Sequence, residues 1–258
     1  MKLYFELPKH QAFWLSGHDA QRYLQGRITQ DVKKLESTSE SLLLSPQGKI
    51  QAKFNISKDN DKYLIIADPS DSFEKDLFQF KVADDVHLEK IDAKVFSIIG
   101  DANLKKHQSF RYSETNYDLL LSTEKELIDQ GFKKGTEEQR LELRISSFSP
   151  EYGTDIDLNI SATEIPYKNL ISFTKGCYSG QEVVEMSIAR GKPNKKLVCL
   201  SSEQEITDKE IFATNKKEKK CGFIQNAAGK NAFAYIKSSF LEQDTYYTEN
   251  STLNKQTP

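Results

Sequence analysis

Residues 175–182 read Lys175-Gly176-Cys177-Tyr178-Ser179-Gly180-Gln181-Glu182, placing an ammonium, a thiol, a phenol, an amide, a carboxylate and two glycines in eight positions. Ile171 and Phe173 precede the stretch and Val183-Val184 follows it. A lysine two positions from a cysteine stabilises a thiolate when the two side chains meet. Whether they meet depends on the backbone: a strand puts both on one side, and a helix parts them by about 200°. The glycines admit a positive φ or a close backbone approach, which a solvent loop does not require.

The 258 residues allow one large domain or two to three small ones. With 36 Lys plus Arg against 38 Asp plus Glu, no global field draws the chain to nucleic acid or an anionic membrane. Strong direct nucleic-acid binding and a membrane partner are therefore not expected. The densest basic run, Lys216, Lys217, Lys219 and Lys220, is interrupted by Glu218 and reads as a solvated turn. Cys177, Cys199 and Cys221 are odd in number and have no C-x-x-C spacing, which argues against a disulfide framework, a zinc site or a shared iron–sulfur cluster. His10, His18, His87 and His107 show no metal-ligand spacing and are assigned no chemistry. The N-terminus lacks a long apolar segment and no apolar run reaches the ~20 residues of a membrane span, so a cytoplasmic location is expected.

Strands are expected at 13–15, 41–44, 50–56, 63–67, 95–99 and 117–121, with a turn at Pro46-Gln47-Gly48-Lys49. Apolar spacing predicts helices around Tyr23-Leu24 and over 71–80, 124–130 and 137–145, with Ser16 or Asp19 capping the first and Gly131 ending the third. Beyond Pro193 short apolar runs (197–200, 221–224, 232–236) alternate with lysine-rich turns, as in a small antiparallel β domain. From about Thr248 the composition predicts a flexible tail. Without regular βαβ alternation the fold class is α+β rather than a doubly wound sheet.

The octapeptide resembles the signature K-G-C-[FY]-x-G-Q-E of the YgfZ-type folate-binding proteins, relatives of the glycine-cleavage aminomethyltransferase (the GcvT superfamily), and matches at all seven specified positions. Other family segments follow in order: Gly17-His18-Asp19-Ala20, Tyr23 to Val32, Pro46 to Ile50, Arg144-Ile145, Glu151-Tyr152-Gly153 and Asp155-Ile156. The resemblance covers residues 13–191. It implies a GcvT-like ring of two α+β subdomains, the first ferredoxin-like, with a small, shortened C-terminal β-barrel. On that basis residues 1–191 form the folate-binding region with its second subdomain at about 46–124, residues 192–247 the β domain, and 248–258 the tail.

The resemblance further implies tetrahydrofolate or a one-carbon derivative as cofactor, and iron–sulfur client proteins, among them a tRNA-modifying one. Cys177 and Lys175 are the candidate catalytic pair. Tyr178, Gln181, Glu182, Tyr152, Arg144, Arg190 and Asp31 are the candidate folate-binding residues, and no metal ligands are named. Each has a plain structural reading beside the functional one. Cys177 could be a packed thiol, Lys175 a surface charge, Tyr152 and Tyr178 core rings, Gln181 and Glu182 a helix start, and Asp31 a cap or turn. Four positions depart from the family, two of them Ser147-Phe148 in place of its usual Ala-Gly. Ser146 stands where the glutamate after Arg-Ile would hold the pterin, and Met186 where an arginine follows the signature. A carboxylate pairs with the pterin N–H groups through charge-assisted bonds about twice as strong as serine can offer. Three functions are therefore weighed: a folate-dependent accessory protein for iron–sulfur enzymes, an aminomethyltransferase (a class that lacks K-G-C), and a scaffold that has lost folate.

Overall fold

The structure, a computed structural model, describes residues 2–35, 38–100, 109–111, 117–191 and 193–256, with 109–111 and 117–120 as backbone alone. His107 lies outside the described residues. In chain order the first half contains β1 (Leu3–Glu6), β2 (Gln11–Ser16), α1 (Ala20–Arg27), β3 (Thr38–Leu44), β4 (Ile50–Asp59), β5 (Lys62–Ala67), α2 (Phe73–Leu77), β6 (His87–Lys90), β7 (Val95–Ile99), β8 (Ser109–Arg111) and β9 (Tyr117–Leu121). The second half contains α3 (Glu124–Asp129), β10 (Lys133–Lys134), α4 (Glu137–Ser146), α5 (Gln181–Ala189), β11 (Lys195–Ser201), β12 (Glu210–Phe212), β13 (Lys220–Ala228), β14 (Asn231–Lys237), β15 (Thr245–Tyr247) and β16 (Thr252–Gln256).

These form two five-stranded sheets and a closed barrel, an α+β architecture. The ferredoxin-like sheet runs β3-β4-β5-β2-β6 and is covered by α1, whose buried residues Ala20, Tyr23, Leu24 and Arg27 recur at helical spacing. Strand β5 shows how the two sheets pack face to face. Tyr63, Ile65 and Ala67 face α1, while Leu64 and Ile66 face Val95 and Leu121 of the other sheet. That other sheet runs β10-β1-β7-β9-β8, with β1 and β10 parallel.

Three expectations are corrected. The second subdomain is not residues 46–124: position 46 lies inside the β3–β4 hairpin, and the second sheet takes the N-terminal strand β1 together with β7 to β10. The helix expected over 71–80 covers only Phe73–Leu77. Arg27 Nε and Nη2 bond the carbonyls of Leu77 and Asp76, which ends the helix, and Phe80 turns back over the guanidinium. The tail expected from Thr248 instead carries β16, which pairs with both β15 and β11 and closes a six-stranded barrel in the order β11-β14-β13-β12-β15-β16. Its composition misled because Leu253 alone points into the barrel core, and backbone pairing holds the rest. Residues 257 and 258 lie outside the described residues.

The sheets, α4 and the barrel meet at the loop 150–156. Arg144 pairs with Asp155 and lies 3.7 Å from Glu151, whose carboxylate also accepts from Arg140 at 2.6 Å. Asp155 reaches the barrel by accepting from Asn226 Nδ2 at 2.6 Å, and Tyr235 donates to its backbone carbonyl at 2.9 Å. Toward the first sheet, the Tyr152 N–H donates to Asp68 at 2.9 Å, and Lys53 stands 3.8 Å from Asp68 and 2.5 Å from Glu40. Gly153 has φ +82°, and a Cβ there would lie 2.8 Å from the Pro69 carbonyl oxygen, so only glycine lets the loop seat this closely.

Burial pushes the Glu151 carboxyl up, but the Arg144 and Arg140 guanidiniums outweigh it and hold its pKa near 2. A carboxyl lowered on folding stabilises the protein fully above its unfolded value of 4.5 and loses that contribution as pH falls toward about 2. Glu151→Gln is therefore expected to flatten the urea-unfolding midpoint between pH 5 and about 2 relative to the parent. Arg144→Met, which takes the guanidinium from the buried Asp155 carboxylate and leaves Glu151 to Arg140 alone, is expected to cost about 3–5 kcal/mol in the same measurement. A loss under about 1 kcal/mol would show that the loop does not depend on this pair.

Candidate functional site

The signature does not form a strand or a helix until Gln181. Residues 173–180 are irregular, and α5 begins after Gly180. Gly180 holds φ +83°, and a Cβ on it would fall 2.5 Å from the Ser45 carbonyl oxygen. The start of α5 is thereby pressed against the Pro46–Lys49 turn, whose Gly48 Cα faces Val183. The other side of the loop is stitched to residues 26–31: Ser172 N–H bonds Thr29 O, Ser179 N–H bonds Gly26 O, and Thr29 Oγ1 donates to Leu170 O at 2.6 Å. Segments as far apart as 147 positions in sequence are thus brought into one assembly.

Lys175 is the clamp of this assembly. It is 8% exposed, and its Nζ donates to Ile28 O at 2.6 Å and Gln30 O at 2.8 Å, with the Tyr178 ring centroid 5.2 Å away. Burial lowers its pKa to about 8 against the attraction of Asp31. Cys177, two residues on, is exposed. The lysine turns inward and the thiol outward, and no hydrogen bond joins them. Cys199 and Cys221 lie elsewhere: the first is buried with its Sγ on Ile145 O, the second inside the barrel.

The candidate folate-binding residues divide by burial. Tyr152 and Tyr178 sit in one apolar cluster with Leu44, Ile50, Ile145 and Tyr235, and burial pushes both phenols up to about 12. Arg144 is engaged at the loop 150–156. Asp31 caps the short turn after α1, accepting from Lys33 N–H at 3.1 Å and Gln25 Nε2 at 2.9 Å. Gln181 closes the loop through Tyr178 N–H at 3.2 Å and Glu185 at 2.7 Å. Glu182, Met186 and Arg190, four residues apart, form one solvent-exposed stripe along α5, and Ser146 is exposed at the end of α4. A cleft of about 400 Å³ opens between α4 and β13, and the two arginines in its wall, Arg140 and Arg144, are bound to carboxylates.

Sequence reasoning passed over His10, Lys53 and Asp68. His10 Nε2 lies 3.6 Å from Asp68, and burial, reinforced by Arg140, Lys53 and Arg144 against the pull of Glu151, lowers its pKa to about 4. A charged Lys53 among the apolar residues of β4 was the available signal. No helix among the described residues is long and apolar enough to cross a membrane.

A lysine whose folded pKa is depressed adds stability above its unfolded value and loses it as pH falls through the folded one. Lys175→Met is therefore expected to remove a rise in the unfolding midpoint between pH 8 and about 10.5, read as the difference between variant and parent. At neutral pH it should cost about 1–3 kcal/mol, because two carbonyls lose their donor. An unchanged pH profile would place the ammonium in solvent.

No family model matches the chain. An uncharacterized protein of Haemophilus influenzae is 29% identical over 221 residues, covering 82% of this chain and 77% of the other. The tRNA-modifying protein YgfZ of Colwellia psychrerythraea is 27% identical, covering 78% and 72%. The protein of that name from Hamiltonella defensa is 30% identical over 228 residues, covering 73% of this chain and 67% of its own. Among solved structures, the glycine cleavage system aminomethyltransferase T of Bartonella henselae superposes with a TM-score of 0.82 over 99% of this chain and 85% of that one. At 14% identity this is a likeness of fold. An intact signature held against residues 26–31 and the Pro46–Lys49 turn, on this fold and with these relatives, makes the chain a member of the YgfZ-type family of the GcvT superfamily.

Proposed function

We propose that this chain is a folate-binding accessory protein that supports iron–sulfur enzymes, acting in the cytoplasm and in tRNA modification. The observation that carries the reading is the signature loop itself. Its lysine is committed to holding the loop down and its thiol is held out to solvent, an arrangement suited to a partner molecule rather than to closed-site turnover. The relatives named as tRNA-modifying proteins support the same role.

Tetrahydrofolate fits the residues in part. Arg190, at the C-terminal end of the exposed α5 stripe, offers a guanidinium for the carboxylates of a folate tail, and Glu182 offers an acceptor for a ring N–H. When bound, the cofactor would supply a one-carbon carrier. Ser146 supplies no carboxylate, since its hydroxyl donates to Leu143 O at 3.0 Å, and Met186 leaves an apolar side chain, 41% exposed, on the same stripe. These two positions favour a second reading, a scaffold that has lost folate.

Calorimetric titration with tetrahydrofolate separates the two. Saturable binding, weakened about tenfold by Arg190→Ala, supports the first reading. The absence of any heat of binding would leave the scaffold. For the thiol, a strain lacking the gene is expected to lose iron–sulfur enzyme activity and modified tRNA, and Cys177→Ala should fail to restore them. Full rescue by that variant would remove Cys177 from the function.

A further inference from the structure

One end of the barrel gathers lysines that the sequence scatters over more than forty positions. The first residue of β11, Lys195, pairs in register with the last of β14, Lys237, and Ser238 N–H bonds Asn194 O beside them. Lys237 Nζ in turn donates to the carbonyl of Lys220 at the start of β13 at 3.2 Å, and Lys219 lies 4.9 Å from the Phe240 ring centroid. Lys220 is neutralised by Glu210. Lys195, Lys196, Lys219 and Lys237 have no carboxylate partner among the described residues. Within this basic end sits Phe223, 36% exposed, tilted against Tyr235 with centroids 5.5 Å apart. Lys195 Nζ lies 5.4 Å from the Phe223 ring and 4.6 Å from that of Tyr235.

We propose that this end of the barrel is a contact surface for single-stranded or looped RNA, with Lys195 and Lys237 on phosphates and Phe223 stacking on an unpaired base. Unpaired ammoniums attract any polyanion, but a solvent-open aromatic ring between them adds a feature that only a flat base uses. An acidic protein would be served by the lysines alone. The near-neutral charge of the whole chain hides this surface: Glu210, opposite Phe223 in register, is taken up by Lys220, and the four lysines named above outnumber it. The inference rests on the tRNA-linked role proposed above.

Fluorescence anisotropy of a labelled, unmodified tRNA transcript titrated with the full chain tests it, at low salt and over a salt series. Lys195→Gln with Lys237→Gln is expected to weaken binding about tenfold and to reduce the slope of log K against log salt by about 1.4, two single-strand phosphate contacts. Phe223→Leu, which keeps an apolar side chain against Tyr235, is expected to weaken tRNA binding about fivefold or more. The same Phe223→Leu variant should leave binding of polyglutamate unchanged. Circular dichroism melts confirm that each variant folds. Parent-like tRNA binding by these folded variants, or no tRNA binding by the parent, overturns the surface. Polyglutamate bound as tightly as tRNA overturns it too, and points to an acidic protein. If the gene's loss still depletes modified tRNA in any of those cases, the family role stands and only this surface falls.

Discussion

The guanidinium of Arg144 lies between the carboxylates of Asp155 and Glu151, all three buried, and α4, the barrel and the first sheet meet there. Charges this deep persist only when each has a partner and its remaining hydrogen-bonding capacity is used. The chain meets that demand by drawing partners from every layer: Arg140 from α4, Asn226 from the barrel, and Asp68 with Lys53 and His10 from the first sheet. The apolar cluster that includes Ile145, Tyr152, Leu197 and Phe233 could bring the layers together in several orientations, because hydrophobic burial is not directional. The ion pairs and the close seat of Gly153 on Pro69 select one of them.

The signature loop applies the same physics on a smaller scale. Its backbone is irregular and would leave polar groups unpaired, so residues 26–31 supply partners. Lys175 fills the gap between two carbonyls, Ile28 O and Gln30 O, that no backbone N–H among the described residues is seen to reach. That role consumes the positive charge. A lysine bonded inward to two carbonyls is poorly placed to activate a thiol that faces solvent, so the apparent catalytic pair is a structural lysine beside an accessible cysteine.

Much of this was legible. Strands β4 and β5, helical spacing in α4 and the turn at Pro46–Lys49 follow from local pattern, and Thr136 with Gln139 forms the capping box that starts α4. The resemblance carried the topology that local pattern could not. What was missed depended on partners distant in sequence. The closing strand β16 has one inward apolar residue, so its pairing with β11 and β15 left almost no local trace. Strand β1 crosses into the second sheet, which a linear division of the chain does not anticipate. Lys175 and Cys177 are two residues apart, yet in an irregular backbone the bonds of Lys175 to Ile28 and Gln30 turn it inward while Cys177 stays exposed.

Two of the positions where the chain departs from its family are ones the fold leaves free. Ser146 and Met186 are both exposed, and neither bears on the loop 150–156 or the signature clamp. Exchanging side chains at such sites costs the fold almost nothing, since no buried partner is stranded. Chemistry at an exposed ligand face can therefore drift while Gly153, Gly180, Lys175 and Arg144, each locked by close contact or burial, keep the architecture unchanged. The residues that make the family recognisable and those that would grip a folate are thus governed by different constraints. Retaining the first set says little about the second.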